Sequence, residues 1–167
     1  MIGGTHELLP NLTLQKIMFD NLTKVGGVTY TDEEKAFAEK ISKTLGAKSL
    51  DMATAENIQP YQEEARAYGS TDVGDVSYTV PTAGLGTATW VPGTPAHSWQ
   101  AVAAGGTSIG TKGMMVAAKT LTLTAMDIFK NLETVKKAKE ELEERRGADF
   151  EYIPLLGNRP PALDYRK

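Results

Sequence analysis

The chain has 167 residues, 41% hydrophobic and 23% charged, which is enough for one soluble globular domain with a real core. Its 18 basic and 21 acidic residues leave a net charge of -3, so no overall positive field favours nucleic acid as a partner. The absence of cysteine excludes disulfides and thiol catalysis and suits a cytoplasmic location. No stretch approaches the roughly 20 apolar residues of a membrane span, and Met1-Ile2-Gly3-Gly4 lacks the basic and apolar sections of a leader, so no membrane partner is expected.

In chain order, "THELLPN" reads as a short strand ending at Pro10, and Leu12 to Lys24 as a helix stopped by Gly26-Gly27. "TDEEKAFAEKISKTLG" is a clearer helix. Thr31 and Glu34 form a capping box, Phe37, Ile41 and Leu45 an apolar stripe, and Gly46 the end. Residues 47–68 read as a surface connection with one helical turn near Gln62 to Ala67. "VSYTVP" and "TATWVP" carry the β-branched and aromatic residues of strands. A helix from Thr107 to Lys130 has Met114, Ala118, Leu121, Ala125 and Ile128 at helical spacing, and its other faces are small or apolar, which predicts burial on most sides. Asn131 then caps a last helix through Arg146 with Leu132, Val135, Ala138 and Leu142 on its stripe. Strands alternating with helices predict an α/β fold, a partial layered sheet with flanking helices. Two or three strands make an undersized sheet, as in part of a larger domain.

Most candidate motifs fail on context. "GLGTAT" from Gly84 lacks the third glycine of a dinucleotide fingerprint and precedes a strand, and in "GGTSIGTKG" Lys112 follows Thr111 with no Ser/Thr after it, unlike a phosphate loop. That glycine-rich turn still offers helix amides to an anion, or simply lets a helix pack closely. Asp72 and Asp75 suit a metal or proton role, or turn capping. Of the two histidines, His6 lies beside Glu7 in an extended segment without an evident partner. His97 lies in a Gly/Pro-rich loop next to Trp99, where imidazole can serve as metal ligand, proton carrier or hydrogen-bonded loop residue. Ser98 beside His97 makes a poor nucleophile and base pair, because adjacent side chains seldom align and no orienting acid is evident.

"GSTDVGDVSYTVP", "PAHSWQ" and "GTKGMMVAAKTLTLTAMDIF" together resemble the end of the catalytic domain in the metal-dependent amidohydrolase and peptidase family that includes aminoacylases and glutamate carboxypeptidases. His97-Ser98-Trp99-Gln100, "THELLPN" and the tail "YIPLLGNRPPALDYR" are similar to its aminobenzoyl-glutamate utilisation branch. The resemblance implies that residues 1–11 end a lid or dimerisation domain and that residues 12–167 are the C-terminal part of a catalytic α/β domain. It implies His97 as a ligand to a divalent metal, zinc or manganese, and Gly69, Ser70 and Thr71 as substrate-binding residues. The general-base glutamate and the other metal ligands would lie in an N-terminal half absent from this chain, which alone would be inactive. The implied substrate is an N-acyl amino acid or dipeptide, and the implied assembly a homo-oligomer. A non-catalytic binding or assembly module is the competing reading.

Overall fold

The computed structural model describes residues 4–63, 71–158, 160 and 163. Among them are seven α-helices, α1 Leu12–Val25, α2 Asp32–Ser42, α3 Ala53–Glu56, α4 Val73–Ser77, α5 Trp99–Gly105, α6 Ser108–Lys130 and α7 Leu132–Arg146. No strand occurs among the described residues, so the α/β sheet expected from the sequence is replaced by helices joined by irregular segments. The chain divides into two compact units. One comprises Met1–Gln15, Glu63–Ala83 and Glu133–Lys167, the other Lys16–Gln62 and Gly84–Leu132.

In the first unit, hydrogen-bond partners explain why "THELLPN" and "VSYTVP" form no ladder. The His6 amide donates to Asp75 Oδ1 at 3.4 Å and the Leu9 amide to Ser77 Oγ at 2.9 Å, both side chains. The Asn11 amide donates to the Thr82 carbonyl at 3.1 Å, a lone backbone bond rather than one rung of a series. Val76 and Ser77 themselves belong to α4, where buried Ser77 donates its hydroxyl to the Gly74 carbonyl at 2.6 Å. Side chains thus satisfy backbone donors that a sheet would otherwise have to satisfy.

The start of α1 is held in the same way. Asn11 Oδ1 accepts from the Leu14 amide at 3.1 Å as an N-cap, and Asn11 Nδ2 donates to the Ala138 carbonyl of α7 at 2.8 Å. Glu141 of α7 accepts from the amides of Leu12 at 2.6 Å and Thr13 at 2.8 Å, so a carboxylate meets the positive end of the helix. At its other end α1 stops where Gly26 turns to φ 80°, as its sequence predicts.

The second unit has a core of Tyr30, Ala38, Ile41, Val91, Ala104 and Ile109, with Phe37 and Met52 packed against it. The capping box of α2 forms as read, with Thr31 Oγ1 accepting from the Glu34 amide at 3.3 Å and Glu34 Oε2 from the Thr31 amide at 2.7 Å. The helix ends at Ser42 rather than at Gly46, which opens a 3-10 turn at Gly46–Lys48. The expected turn near Gln62 to Ala67 falls mostly outside the described residues.

Helix α6 has the expected limits but the opposite facing. Its buried residues are Ile109, Gly110, Gly113, Thr120 and Thr124, whereas Met114, Ala118, Leu121 and Ala125 of the predicted stripe are exposed. Met115, Met126 and Phe129 are exposed as well, so the helix is not buried on most sides. An apolar period identifies a helix, but in one that is apolar all round it does not choose the inner face. Close approach chooses it here: a Cβ on Gly113 would lie 2.2 Å from the Ala88 carbonyl oxygen, so only glycine admits that crossing. The buried hydroxyl of Thr124 stays satisfied by donating to the Thr120 carbonyl at 2.8 Å. "TATWVP" consequently runs beside α6 as an irregular segment, not as a strand.

Candidate functional site

His97 sits in the loop before α5. It is the single non-glycine residue with positive φ among those described, at 58°, a backbone state that histidine visits more readily than most side chains but that still carries strain. Ser98 fixes the loop from the other side. Its hydroxyl donates to the Pro95 carbonyl at 2.7 Å and accepts from the Ala101 amide at 3.2 Å, which makes Ser98 the N-cap of α5. A hydroxyl committed in both directions is a poor nucleophile, in keeping with the sequence argument against a Ser98–His97 pair.

The imidazole of His97 is exposed and makes no hydrogen bond or ion pair with another described residue. It lines an open hollow of about 440 Å³ with Trp90, Ser98, Trp99, Ala101 and Val102. A neighbouring hollow of about 430 Å³ shares Trp90 and is lined by Thr54, Ala55 and residues 87–94. The loop histidine is therefore not a hydrogen-bonded structural residue. Its ring nitrogens are available to a ligand or a metal.

The remaining candidates lie elsewhere. Thr71 belongs to the other unit, is exposed, and accepts from the Val73 amide at 3.2 Å, while Gly69 and Ser70 lie outside the described residues. Asp75 anchors the His6 amide and hydrogen-bonds Tyr152. Burial first, and then that acidic partner, raises the Tyr152 phenol above its usual range. His6 packs its ring against Tyr78 at 5.1 Å and Tyr152 at 5.9 Å, and its Nε2 is buried without a partner. No local pattern signals this aromatic surround, because Tyr78 and Tyr152 are distant from His6 along the chain. No three His, Asp or Glu side chains converge among the described residues as a metal site. His97 could serve a metal as one ligand, and no group of three such side chains forms around it among the described residues.

At the start of α6 a carboxylate of the protein itself is held by two side chains and not by the amides of the glycine-rich turn. Ser108 Oγ donates to Glu34 Oε1 at 2.6 Å and Lys112 Nζ to Glu34 Oε2 at 2.6 Å. Lys112 also donates to the Thr29 carbonyl at 2.8 Å and lies 5.6 Å from the centre of the Tyr30 ring. The hydrogen bond from Lys112 and then that from Ser108 hold the Glu34 carboxyl at about 2, against an ordinary 4.5. The phenol of Tyr30 moves upward, because it is buried and faces Glu34 and Glu56. This cluster ties α2 to the first turn of α6.

Compared with known proteins, the chain is similar to a component of the p-aminobenzoyl-glutamate hydrolase of Escherichia coli (strain K12), with 30% identity over 178 aligned residues. That match takes in 92% of this chain and 37% of the relative, so the chain spans little more than a third of the length of the protein it matches. The resemblance read from the motifs is thereby borne out. No family model matches the chain, and no solved structure does. Among the described residues no helix is long and apolar enough to cross a membrane.

Proposed function

We propose that this chain supplies one metal-binding imidazole and part of the substrate hollow to a metal-dependent amidohydrolase acting on N-acyl amino acids such as aminobenzoyl-glutamate. The observation that carries this reading is His97, exposed and unpartnered in a strained loop at the mouth of a hollow, at the position where the related motif calls for a ligand. Backbone strain at a solvent-facing histidine costs stability without improving packing, which is the pattern of a residue kept for its ring. A divalent cation, zinc or manganese, would act there as a Lewis acid toward the amide carbonyl. His97 would hold it through a neutral ring nitrogen, Ser98 would keep the loop in register, and Trp90 and Trp99 would displace water from the reacting group. The resemblance assigns substrate hydrogen bonds to Gly69, Ser70 and Thr71, and further ligands and a general base would come from outside these residues.

A non-catalytic binding or assembly module is the second reading, favoured by the lack of three converging ligands among the described residues and by the exposed row Met114, Leu121 and Phe129 on α6. The same row supports the homo-oligomer expected from the sequence. The two readings part in one experiment on the longest polypeptide encoded through this sequence. His97→Ala there should lower zinc content and aminobenzoyl-glutamate cleavage together, by about 10-fold or more in affinity and rate. Unchanged metal content and turnover would overturn the metal-ligand role.

A further inference from the structure

Among the described residues, one face of α6 has nothing packed on it. Phe129 is 85%, Met114 56% and Leu121 48% exposed, and Met115 and Met126 are exposed to a similar degree as Leu121. Between these large side chains lie Ala118, Thr122 and Ala125, all exposed, and the Thr122 hydroxyl already donates to the Ala118 carbonyl at 2.8 Å. At helical spacing Met114, Ala118, Leu121, Ala125 and Phe129 fall within a band of about 80°, and Thr122, Met115 and Met126 border it on one side. Gly113, Thr120 and Thr124 occupy the inward side of the same helix. Lys119, on the rim of the exposed band, is the only charged residue from Gly113 to Met126. The whole face lies within one compact unit.

We infer that this face pairs with the same face of a second copy of the chain, the two α6 helices running antiparallel. The pairing gives the homo-oligomer expected from the sequence a surface and a register, and it does not rest on the metal role of His97. With the two-fold axis between Leu121 and Thr122, Ala118 meets the partner's Ala125 and Met114 meets the partner's Phe129. Small residues near the middle let the helix axes approach, and each end sets a thioether against an aromatic ring. Every contact then occurs twice, as a closed two-fold pair requires. The exposed side chains offer roughly 700 Å² per copy, so two such faces exceed the ~1,000 Å² in total that a specific interface needs. A charged partner would lose hydration against this face with no opposite charge to compensate it. In an antiparallel pair the two Lys119 side chains share one rim, so added salt strengthens the association.

The chain contains no cysteine, so an introduced thiol reports only on its own surroundings. Ala118→Cys and Ala125→Cys versions of the 167-residue chain are oxidised separately and as a mixture. In the antiparallel pair each of these positions lies roughly 10 Å along the axis from its own equivalent, beyond the reach of a disulfide, whereas Ala118 and the partner's Ala125 stand opposite each other. The mixture should therefore cross-link about 10-fold or more faster than either version alone. Sedimentation at high micromolar concentration should show the parent chain as a dimer, and Ala118→Glu as a monomer with the same circular dichroism. A monomeric parent, separate versions that cross-link as fast as the mixture, or a dimer that survives Ala118→Glu would overturn the pairing. An Ala118→Cys thiol shielded from maleimide in a monomeric form of the longest polypeptide encoded through this sequence would overturn it too, by showing that another stretch of that polypeptide covers the face. Zinc content and cleavage in His97→Ala report the metal role, whereas the cross-links report the pairing and should persist without the imidazole.

Discussion

Replacing Lys112 by Met tests the cluster that joins α2 to α6. The substitution keeps the length of the side chain, but it removes the ammonium that donates to Glu34 at 2.6 Å and to the Thr29 carbonyl at 2.8 Å and that faces the Tyr30 ring. The fall of the Glu34 carboxyl from 4.5 to about 2 sets a ceiling of roughly 3.4 kcal/mol on what the folded state gains by keeping it ionised. Water around Lys112, whose side chain is 32% exposed, screens the pair, and about 1–2 kcal/mol is the expected loss near neutral pH. Glu34 has its pKa depressed on folding, so its contribution is fully present above about 4.5 and disappears as the pH falls through 4.5 toward 2. Urea unfolding followed by circular dichroism from neutral to acid pH should therefore show the parent chain ahead of Lys112→Met by about 1–2 kcal/mol near pH 7, with the gap closing toward about pH 2. A gap that does not change with pH would mean that Lys112 acts through the Thr29 carbonyl and the Tyr30 ring rather than through Glu34, and the ion-pair account would be refuted.

At His97, Gly removes the steric cost of the left-handed backbone whereas Ala retains it, so His97→Gly should be about 0.5–1 kcal/mol more stable to urea than His97→Ala; equal midpoints would count against strain in the loop. Glu141→Gln leaves one acceptor oxygen for the two amides of Leu12 and Thr13 and should cost about 1–2 kcal/mol. Calorimetry should record a melting temperature lower by roughly 2–6 °C, and an unchanged melt would show that the carboxylate is dispensable at the start of α1.

The long helices were legible because each carries both a period and an end: a capping box at Thr31 and Glu34, Thr107 ahead of Ser108, Asn131 between α6 and α7. Strand propensity misled at Val76–Val80 and Thr87–Val91, since β-branched residues form a sheet only if neighbouring backbone is free to pair. Around Val76, Ser77 and Asp75 take the donors of the facing segment instead. The inner face of α6 was illegible because Gly113 and Thr120 face inward for reasons of clearance that a hydrophobic count does not register. His97 stood out through its motif. Its neighbour in the hollow, Trp90, did not, because nothing in local spacing brings residue 90 to the end of α5.

The crossing at Gly113 places the shape of the hollow under the control of a residue that does not line it. The Ala88 carbonyl rests where a Cβ on Gly113 would be, with the Thr89 methyl next to that point and Trp90 following directly in the chain. Any bulk added at Gly113 must move this stretch outward, and Trp90 is carried with it. That wall of the hollow is thus adjustable from the buried side of a helix, without altering His97, Ser98 or either tryptophan. A change in the shape of that hollow has a route here that leaves every residue lining it unchanged.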